Sequence, residues 1–430
     1  MKELWSTLKR LSKEKGQWIL NYNLEIELLF LSFIVLFFFL PNFYVYAKEL
    51  TLSIGLSTEY NDNIYGGEIK EDDIINRITP GIVLHMPKYH KELTLSYQAN
   101  FEFFVENSIE NTVTHNFNGE ASYQATEHLT FKLTENYIKS RSLSEIDIYG
   151  IRRARISYWQ NRLNPSINWQ FAERNSFGLS YQYNILHFSG DYQNSEEHSV
   201  NLNFNYGLTE RGILNLGYIY TYGDLYQQWG ILNGHLINIG YNWLLSSYTT
   251  ITLTGGYSLR EYSLAPDYEI YQIGLGIEKK LTPRFLTALQ GGYFFYYPEL
   301  GEDSKGFSGN ILLTYIYERS QLNLKAERGY NEVFFTVLNL GFSTYWQVSL
   351  DFRHTFTPHW SGNMGGSYRE SKYQYFSIKD KYWSTYVSLD WTPRRWFHGQ
   401  INYQHEDLDT TGFYGNYDIN RVILSIRLIY

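Results

Sequence analysis

Val200 to Tyr206 reads "VNLNFNY". Val200, Leu202, Phe204 and Tyr206 alternate with Asn201, Asn203 and Asn205, so one face of an extended segment is apolar and the other is amide. Such period-2 alternation marks a strand that meets two different environments. It returns at 250–257, "TITLTGGY", where Ile251, Leu253 and Tyr257 oppose Thr250, Thr252 and Thr254. It returns again at 421–430, "RVILSIRLIY", where Val422, Leu424, Ile426, Leu428 and Tyr430 share a face. No stretch after Ala47 has the period of a long amphipathic helix.

Two architectures use such strands. A soluble sandwich buries the apolar face. A membrane barrel turns that face to lipid, and its sheet must close because no backbone group in lipid can stay unpaired. Strand length separates the two. The alternating segments run about 10–14 residues, the span of a tilted membrane strand, whereas sandwich strands are mostly about 5–6 residues. Aromatics also gather at the strand ends. Trp169, Trp243, Phe285, Phe356, Trp360, Trp391 and Trp396 lie near one end, and Tyr183, Tyr220, Tyr222, Tyr262, Tyr296 and Tyr297 near the other. Two aromatic girdles are expected of an outer-membrane barrel.

The strands are punctuated by a recurring phrase. "LTPRF" at 281–285 comes back as "FTPHW" at 356–360 and "WTPRRW" at 391–396, with looser copies "ATEHL" at 125–129 and "LTERG" at 208–212. Mark each short turn by one residue: Lys88, Thr126, Glu173, Thr209, Ser246, Thr282, Arg319, Thr357 and Thr392. Seven of the eight gaps are then 35–38 residues. That is two strands, one tight turn and one longer loop. Proline presets φ in such a turn, where no ladder donor is needed. The longer connections are clearest at 61–75, 142–154, 186–197, 223–231, 296–305, 330–344, 372–380 and 406–417.

Nine tight turns predict an all-β fold, a closed antiparallel transmembrane β-barrel of 20 strands. The count falls to 18 if the first hairpin or the one near 330–345 does not form. Both barrel ends then face the side of the short, periplasmic turns, as bacterial barrels require. Basic residues collect in those turns (Lys88, Lys91, Arg174, Arg211, Arg284, Arg319, Arg394, Arg395) and acidic ones in the outer loops (Glu71, Asp72, Asp73; Glu196, Glu197; Glu299, Glu302, Asp303; Glu406, Asp407, Asp409). Arg152, Arg153 and Arg155 break the rule.

The beginning of the chain assigns a compartment. Lys2, Lys9, Arg10, Lys13 and Lys15 precede the apolar run "LLFLSFIVLFFFL" from Leu28 to Leu40, and Val45 and Ala47 fit a cleavage site. This predicts a signal peptide over 1–47 and one barrel domain over 48–430. The apolar run is short for a spanning helix, which needs about 20 residues. Removing 1–47 takes away five basic and four acidic residues and leaves a net charge of −9. No basic patch for nucleic acid remains. There is no cysteine, which removes disulfides, thiolate metal sites and cysteine nucleophiles together.

No enzyme motif is present, and neither a catalytic residue, a metal ligand set nor a cofactor is expected. His405, Glu406, Asp407 and Asp409 have the residue types of a metal or acid–base cluster, but they fall where a long loop is expected, and solvated charge is the better reading. Glu71, Asp72 and Asp73 lack the spaced ligands of a calcium loop. The eleven histidines offer no pairing for a Ser or Asp triad. The informative residues are charges whose parity points them inward: Arg162, Glu278, Lys325, Glu327, Asp351, Arg353, Arg369, Asp390, Arg421 and Arg427. Facing lipid, an Arg or Lys would cost about 2–4 kcal/mol at mid-depth. On a wet inner wall the cost disappears. The wall is read either as braced by cross-strand salt bridges or as a conduit for a hydrated, anionic polymer.

Thr58 to Ile64, "TEYNDNI", is followed by an acidic run and by Ile78 to Ile82, "ITPGI". With the Tyr- and Asn-rich strands behind it, this opening resembles the β-barrel porin type 2 family and the outer-membrane barrels associated with exopolysaccharide export. The resemblance implies an outer-membrane pore and, more loosely, a link to polysaccharide secretion. It carries no catalytic residues. Asp62 and Asn63 are read as a structural loop cap. No periplasmic helical repeats of the kind some exporters carry are visible, so polymer export would need a separate partner. Tyr430 resembles the terminal aromatic signal read by the barrel-assembly machinery. The expected function is a porin-like diffusion channel or conduit, not an enzyme. Its expected partners are outer-membrane lipid, lipopolysaccharide, that machinery, and polysaccharide or small hydrophilic solutes, with no nucleic acid. The alternatives are a structural or adhesion barrel plugged by its loops, and an outer-membrane hydrolase.

Overall fold

The computed structural model describes residues 49–142, 155–190, 194–225, 229–336 and 338–430. The signal peptide expected over 1–47, and Arg152 and Arg153, lie outside the described residues. From Glu49 to Tyr430 the chain forms one unit of twenty strands. The first ten are β1 (Glu49–Asn61), β2 (Asp73–Lys88), β3 (Lys91–Phe104), β4 (Thr112–Thr126), β5 (Leu129–Ser140), β6 (Tyr158–Ala172), β7 (Asn175–Phe188), β8 (Ser195–Thr209), β9 (Gly212–Asp224) and β10 (Ile231–Ser246). The rest are β11 (Thr249–Tyr262), β12 (Tyr268–Thr282), β13 (Phe285–Pro298), β14 (Ser304–Tyr317), β15 (Ser320–Val333), β16 (Gly341–Thr357), β17 (Trp360–Tyr373), β18 (Ile378–Arg394), β19 (Phe397–Thr410) and β20 (Tyr417–Ile429). Each pairs antiparallel with the next. β20 pairs with β1 from Ser53↔Ile429 to Asn61↔Arg421, so the sheet closes on itself. Closure leaves no edge strand.

The apolar face is outside. Leu50, Leu52, Ile54 and Leu56 on β1 are exposed, as are Val422, Leu424, Ile426 and Leu428 on β20. Ile273 and Leu275 on β12 are 60% and 59% exposed. A soluble sandwich would bury these side chains, so that alternative is set aside. The strands are 12 to 17 residues long; many fall within the 10–14 expected, and the rest exceed it. At about 3.3 Å per residue and about 45° of tilt, 14 residues rise roughly 33 Å, enough to clear an apolar band about 25 Å tall. The excess extends past the band toward the long loops.

The nine tight turns lie where the spacing placed them, with Thr392 displaced into the end of β18. Their common device is a hydroxyl rather than the proline. Thr126, Thr209, Ser246, Thr282 and Thr357 each accept, through Oγ, the backbone N–H two residues on, at 3.2–3.3 Å. A one-residue register shift precedes each of the five. The bulge turns the hydroxyl over the turn and satisfies a donor the ladder cannot reach. Neighbouring turns are also stitched together. Lys280 N–H donates to Tyr248 C=O, Ile316 to Arg284 and Thr392 to His359.

Three expectations need correction. Connections at 104–112 and 262–268 were not among those read from the sequence, and residues 406–410 are strand, not loop. Tyr262 and Tyr296 do not belong to the outer girdle. They are buried in an aromatic cluster with Tyr268, Phe294 and Phe342, whereas Tyr222 and Tyr297 are exposed. Glu406 is not solvated loop charge. It is buried on β19 and paired with Arg421.

Candidate functional site

The ten inward candidates all lie on strand faces opposite the exposed apolar residues. Their partners differ. Arg162 lies 3.4 Å from Asn184 Oδ1. Lys325 and Glu327, two apart on β15, form an ion pair. Asp351 accepts from Tyr386 Oη at 2.7 Å. Asp390 accepts from Asn363 and Gln400, both at 2.9 Å, and lies 3.2 Å from His398 Nε2. Arg369 is 9% exposed, donates to Ser371 Oγ and Gln347 Oε1, and stacks 3.9 Å from the Tyr345 ring. Arg421 pairs with Glu406. Arg427 reaches Ser53 Oγ at 3.4 Å across the seam. Arg353 faces Gln321 and Asn363, and Glu278 faces Thr250. The structure does not gather them into one centre; it spreads them around the wall at several depths.

The residues at 58–64 hold the closing seam. Arg77 Nη1 lies 2.5 Å from Glu59, its Nε lies 2.9 Å from Glu102, and Arg155 adds a second cation at 2.7 Å from Glu102. This alternating chain keeps buried Glu59 and Glu102 compensated. Above it, Asp62 accepts from Asn420 N and Nδ2 at 2.6 and 2.8 Å. Asn63 Nδ2 donates to the carbonyls of Gly67 and Asp418 at 2.7 and 3.0 Å. Lys70 bridges Asp62 and Asp418. The loop between β1 and β2 is thereby clasped onto β20. Burial pushes the Asp62 carboxyl up, but the Asn420 donors and Lys70 outweigh it and hold it below the ordinary carboxylate range. Asp73 accepts the N–H groups of Val105, Glu106 and Asn107. Asp73 therefore orders the neighbouring loop after β3.

The hairpin of β15 and β16 leans into the lumen. β14 and β15 are laddered only from Gly309↔Arg328 downward, while β15 and β16 stay paired up to Val333↔Gly341. Freed from β14, the upper hairpin lays Tyr330 and Phe342 onto the inner wall. Phe342 stacks on Tyr296 at 3.8 Å, and Tyr330 Oη donates to Gln272 at 3.0 Å. Glu332 pairs with Arg260 at 2.9 Å. The tip carries Phe334 to Trp229 at 5.4 Å and brings Leu338 against Tyr158, Leu186 and Phe188. Those three stand on β6 and β7, almost opposite β15 and β16 in the ring of strands. The tip turns through positive φ at Phe335 (57°), Asn339 (46°) and Gly341 (73°). For the two non-glycine residues this is strained backbone, of the kind found at functional segments. A side chain on Gly341 would meet the Trp229 ring at 2.7 Å.

Below the hairpin and above Glu278, the inner wall from β8 to β14 is uncharged. Asn203 on β8 lies opposite Gly217, Gly217 opposite Asn238, Asn238 opposite Gly256, and Gly256 opposite Gln272. A second row runs Asn242, Thr252, Gly276, Gln290, Asn310. Each glycine makes room for its neighbours' amides. A Cβ on Gly256 would lie 2.5 Å from Gln272 Nε2 and 3.0 Å from Asn238 Oδ1. All of these but Gly256 and Gly276 line a cavity of about 690 Å³ that also takes in Arg328 and Tyr330 of β15. Choosing candidates by charge missed this surface, although the Asn face of β8 was legible in "VNLNFNY". The Arg260–Glu332 and Arg77–Glu102 pairs were missed too, for want of any local signal.

No family model matches the chain, and no curated protein matches it. The barrel is similar to solved outer-membrane structures. Against the siderophore receptor PirA from Acinetobacter baumannii the TM-score is 0.53 at 9% identity, covering 89% of this chain and 80% of that one. Against PirA from Pseudomonas aeruginosa it is 0.52 at 12% identity, with the same coverage. The outer membrane protein OpdK from Pseudomonas aeruginosa aligns at 0.45 and 11% identity, covering 90% of this chain and all of that one. At these identities the likeness is one of fold, and the fold is a closed, 20-stranded outer-membrane-type barrel.

Proposed function

We propose that this chain is a porin-like pore of a Gram-negative-type outer membrane. In this reading the leader is removed near Ala47, and the barrel-assembly machinery recognises the strand ending at Tyr430. The barrel then sits in outer-membrane lipid beside lipopolysaccharide and passes small hydrophilic solutes by diffusion. One observation carries the reading: a closed wall with apolar side chains outside and amides, hydroxyls and compensated charges inside. Barrels of 16–18 strands already leave an aqueous channel. A link to exopolysaccharide export is the narrower form of this proposal and rests on the resemblance of 58–64 and 78–82.

The second reading is a structural barrel whose lumen is plugged. The hairpin of β15 and β16, with its aromatic cluster, favours it. Liposome swelling separates the two. Purified protein in vesicles should admit arabinose faster than empty vesicles do. Swelling only after removal of 334–340 would support the plugged barrel. No swelling with either protein would sink the pore.

A further inference from the structure

The charged and uncharged sectors of the inner wall divide the ring of strands between them. Among the described residues, β8 to β14 present no charged side chain to the lumen between Glu197 and Arg260 above and Glu278 below. In their place stand Asn203, Asn238 and Gln272 in one row and Asn242, Gln290 and Asn310 in the next. An amide both donates and accepts, as a hydroxyl group does. A carboxylate or phosphate ligand would need Arg or Lys, and a cation would need carboxylates. The strands β8 to β14 offer neither, and the charged residue lining the cavity is Arg328 of β15. The sector does offer side-chain amides in two rows, each able to donate and to accept. It also offers an aromatic surface, Tyr330, at the cavity's upper edge. Glycines at 217, 256 and 276 keep the floor flat, so the amides lie along the wall instead of filling the space above it.

We propose that the β8–β14 wall is a binding surface for uncharged polyhydroxyl solutes, a neutral oligosaccharide being the class it fits. Hydroxyls exchange wall water for amide contacts, and the C–H faces of the sugar meet Tyr330. The inference deepens the pore reading and rests on it for its biological meaning, but binding can be measured without transport.

The test is titration calorimetry of the detergent-solubilised full barrel with maltotriose and, separately, with trigalacturonate. Maltotriose should bind and trigalacturonate should bind more weakly. The double variant Asn203→Ala/Asn238→Ala should weaken maltotriose by roughly tenfold or more, two hydrogen bonds' worth. Heat-modifiable gel mobility reports whether the variant has folded. If it has not, Gln272→Met, which keeps the side-chain volume, gives the same readout. No maltotriose binding, binding untouched by amide removal, or tighter binding of the anionic trimer would each overturn the proposal. Binding without any ion conductance would leave the proposal standing and remove the pore.

Discussion

Arg260 of β11 grips Glu332 of β15 with two hydrogen bonds, Nε to Oε1 at 2.9 Å and Nη2 to Oε2 at 3.0 Å, although β12, β13 and β14 stand between them in the wall. Tyr268 Oη adds a third, at 2.6 Å. The contact exists only because the hairpin leans inward. With the Tyr330–Gln272 hydrogen bond it makes up the polar part of an attachment that is otherwise aromatic and aliphatic. Glu332→Gln leaves Arg260 with an uncompensated charge in a mostly enclosed place. The expected cost to hairpin docking is about 2 kcal/mol, below the roughly 3–5 kcal/mol of fully buried pairs, because the lumen supplies water. Hydrogen exchange of 330–342 should quicken while the ladders of β3 to β9 keep their protection. Equal change everywhere would show that the pair holds the barrel rather than the hairpin.

Gly256 tests the amide row without touching an amide. In Gly256→Ala the new methyl falls within 3 Å of Gln272 Nε2 and Cγ, both on a flexible side chain. The barrel should therefore fold with stability changed by less than about 1 kcal/mol, while Gln272 and Asn238 swing off the wall. Maltotriose affinity should fall several-fold at unchanged urea midpoint. A midpoint shift with unchanged affinity would mean that the glycine serves packing alone.

The hydroxyl turns make a stability prediction. Thr357 Oγ1 accepts from both His359 N and Trp360 N, at 3.2 and 3.1 Å. Thr357→Val preserves shape and removes the acceptor, at about 0.5–1.5 kcal/mol. Thr282→Val, with a single bond, should cost less. Urea unfolding from lipid vesicles ranks the two, and the reverse order would contradict the assignment.

The clasp at Asp62 carries a pH dependence. Its folded pKa lies below the ordinary value of about 3.9. A depressed carboxylate stabilises fully above its unfolded pKa, and the contribution is lost as pH falls through the folded one. The loop at 62–72 should thus hold from neutral pH to about pH 4 and loosen below it. Protease nicking of this loop, followed from pH 6 to pH 3, should rise at the acid end. Asp62→Asn should flatten that profile.

Much of the barrel could be read from the chain because lipid imposes a strict rule. A strand with lipid on one side must alternate, and "VNLNFNY" does so whatever its neighbours are. The turn phrase was legible in the same way, since every hairpin repeats about the same length. What stayed hidden depends on contacts distant in sequence. Residues 328–342 alternate identically whether their hairpin stands in the wall or bends inside it, so Tyr330 and Phe342 gave no warning. Tyr262 and Tyr296 were assigned by their position near strand ends. Parity with Arg260 and Phe294 would have turned them inward. Glu406 was misplaced because β19 runs past the membrane band, where alternation no longer has lipid to enforce it.

Single-channel recording in planar bilayers, comparing the intact barrel with a variant in which 334–340 is replaced by a short glycine–serine link, tests the central claim most directly. A water-filled barrel narrowed by one inward hairpin predicts discrete steps for both proteins, with larger conductance once the tip is gone. Equal conductance in the two would contradict the hairpin's role, and silence from both would contradict the pore itself.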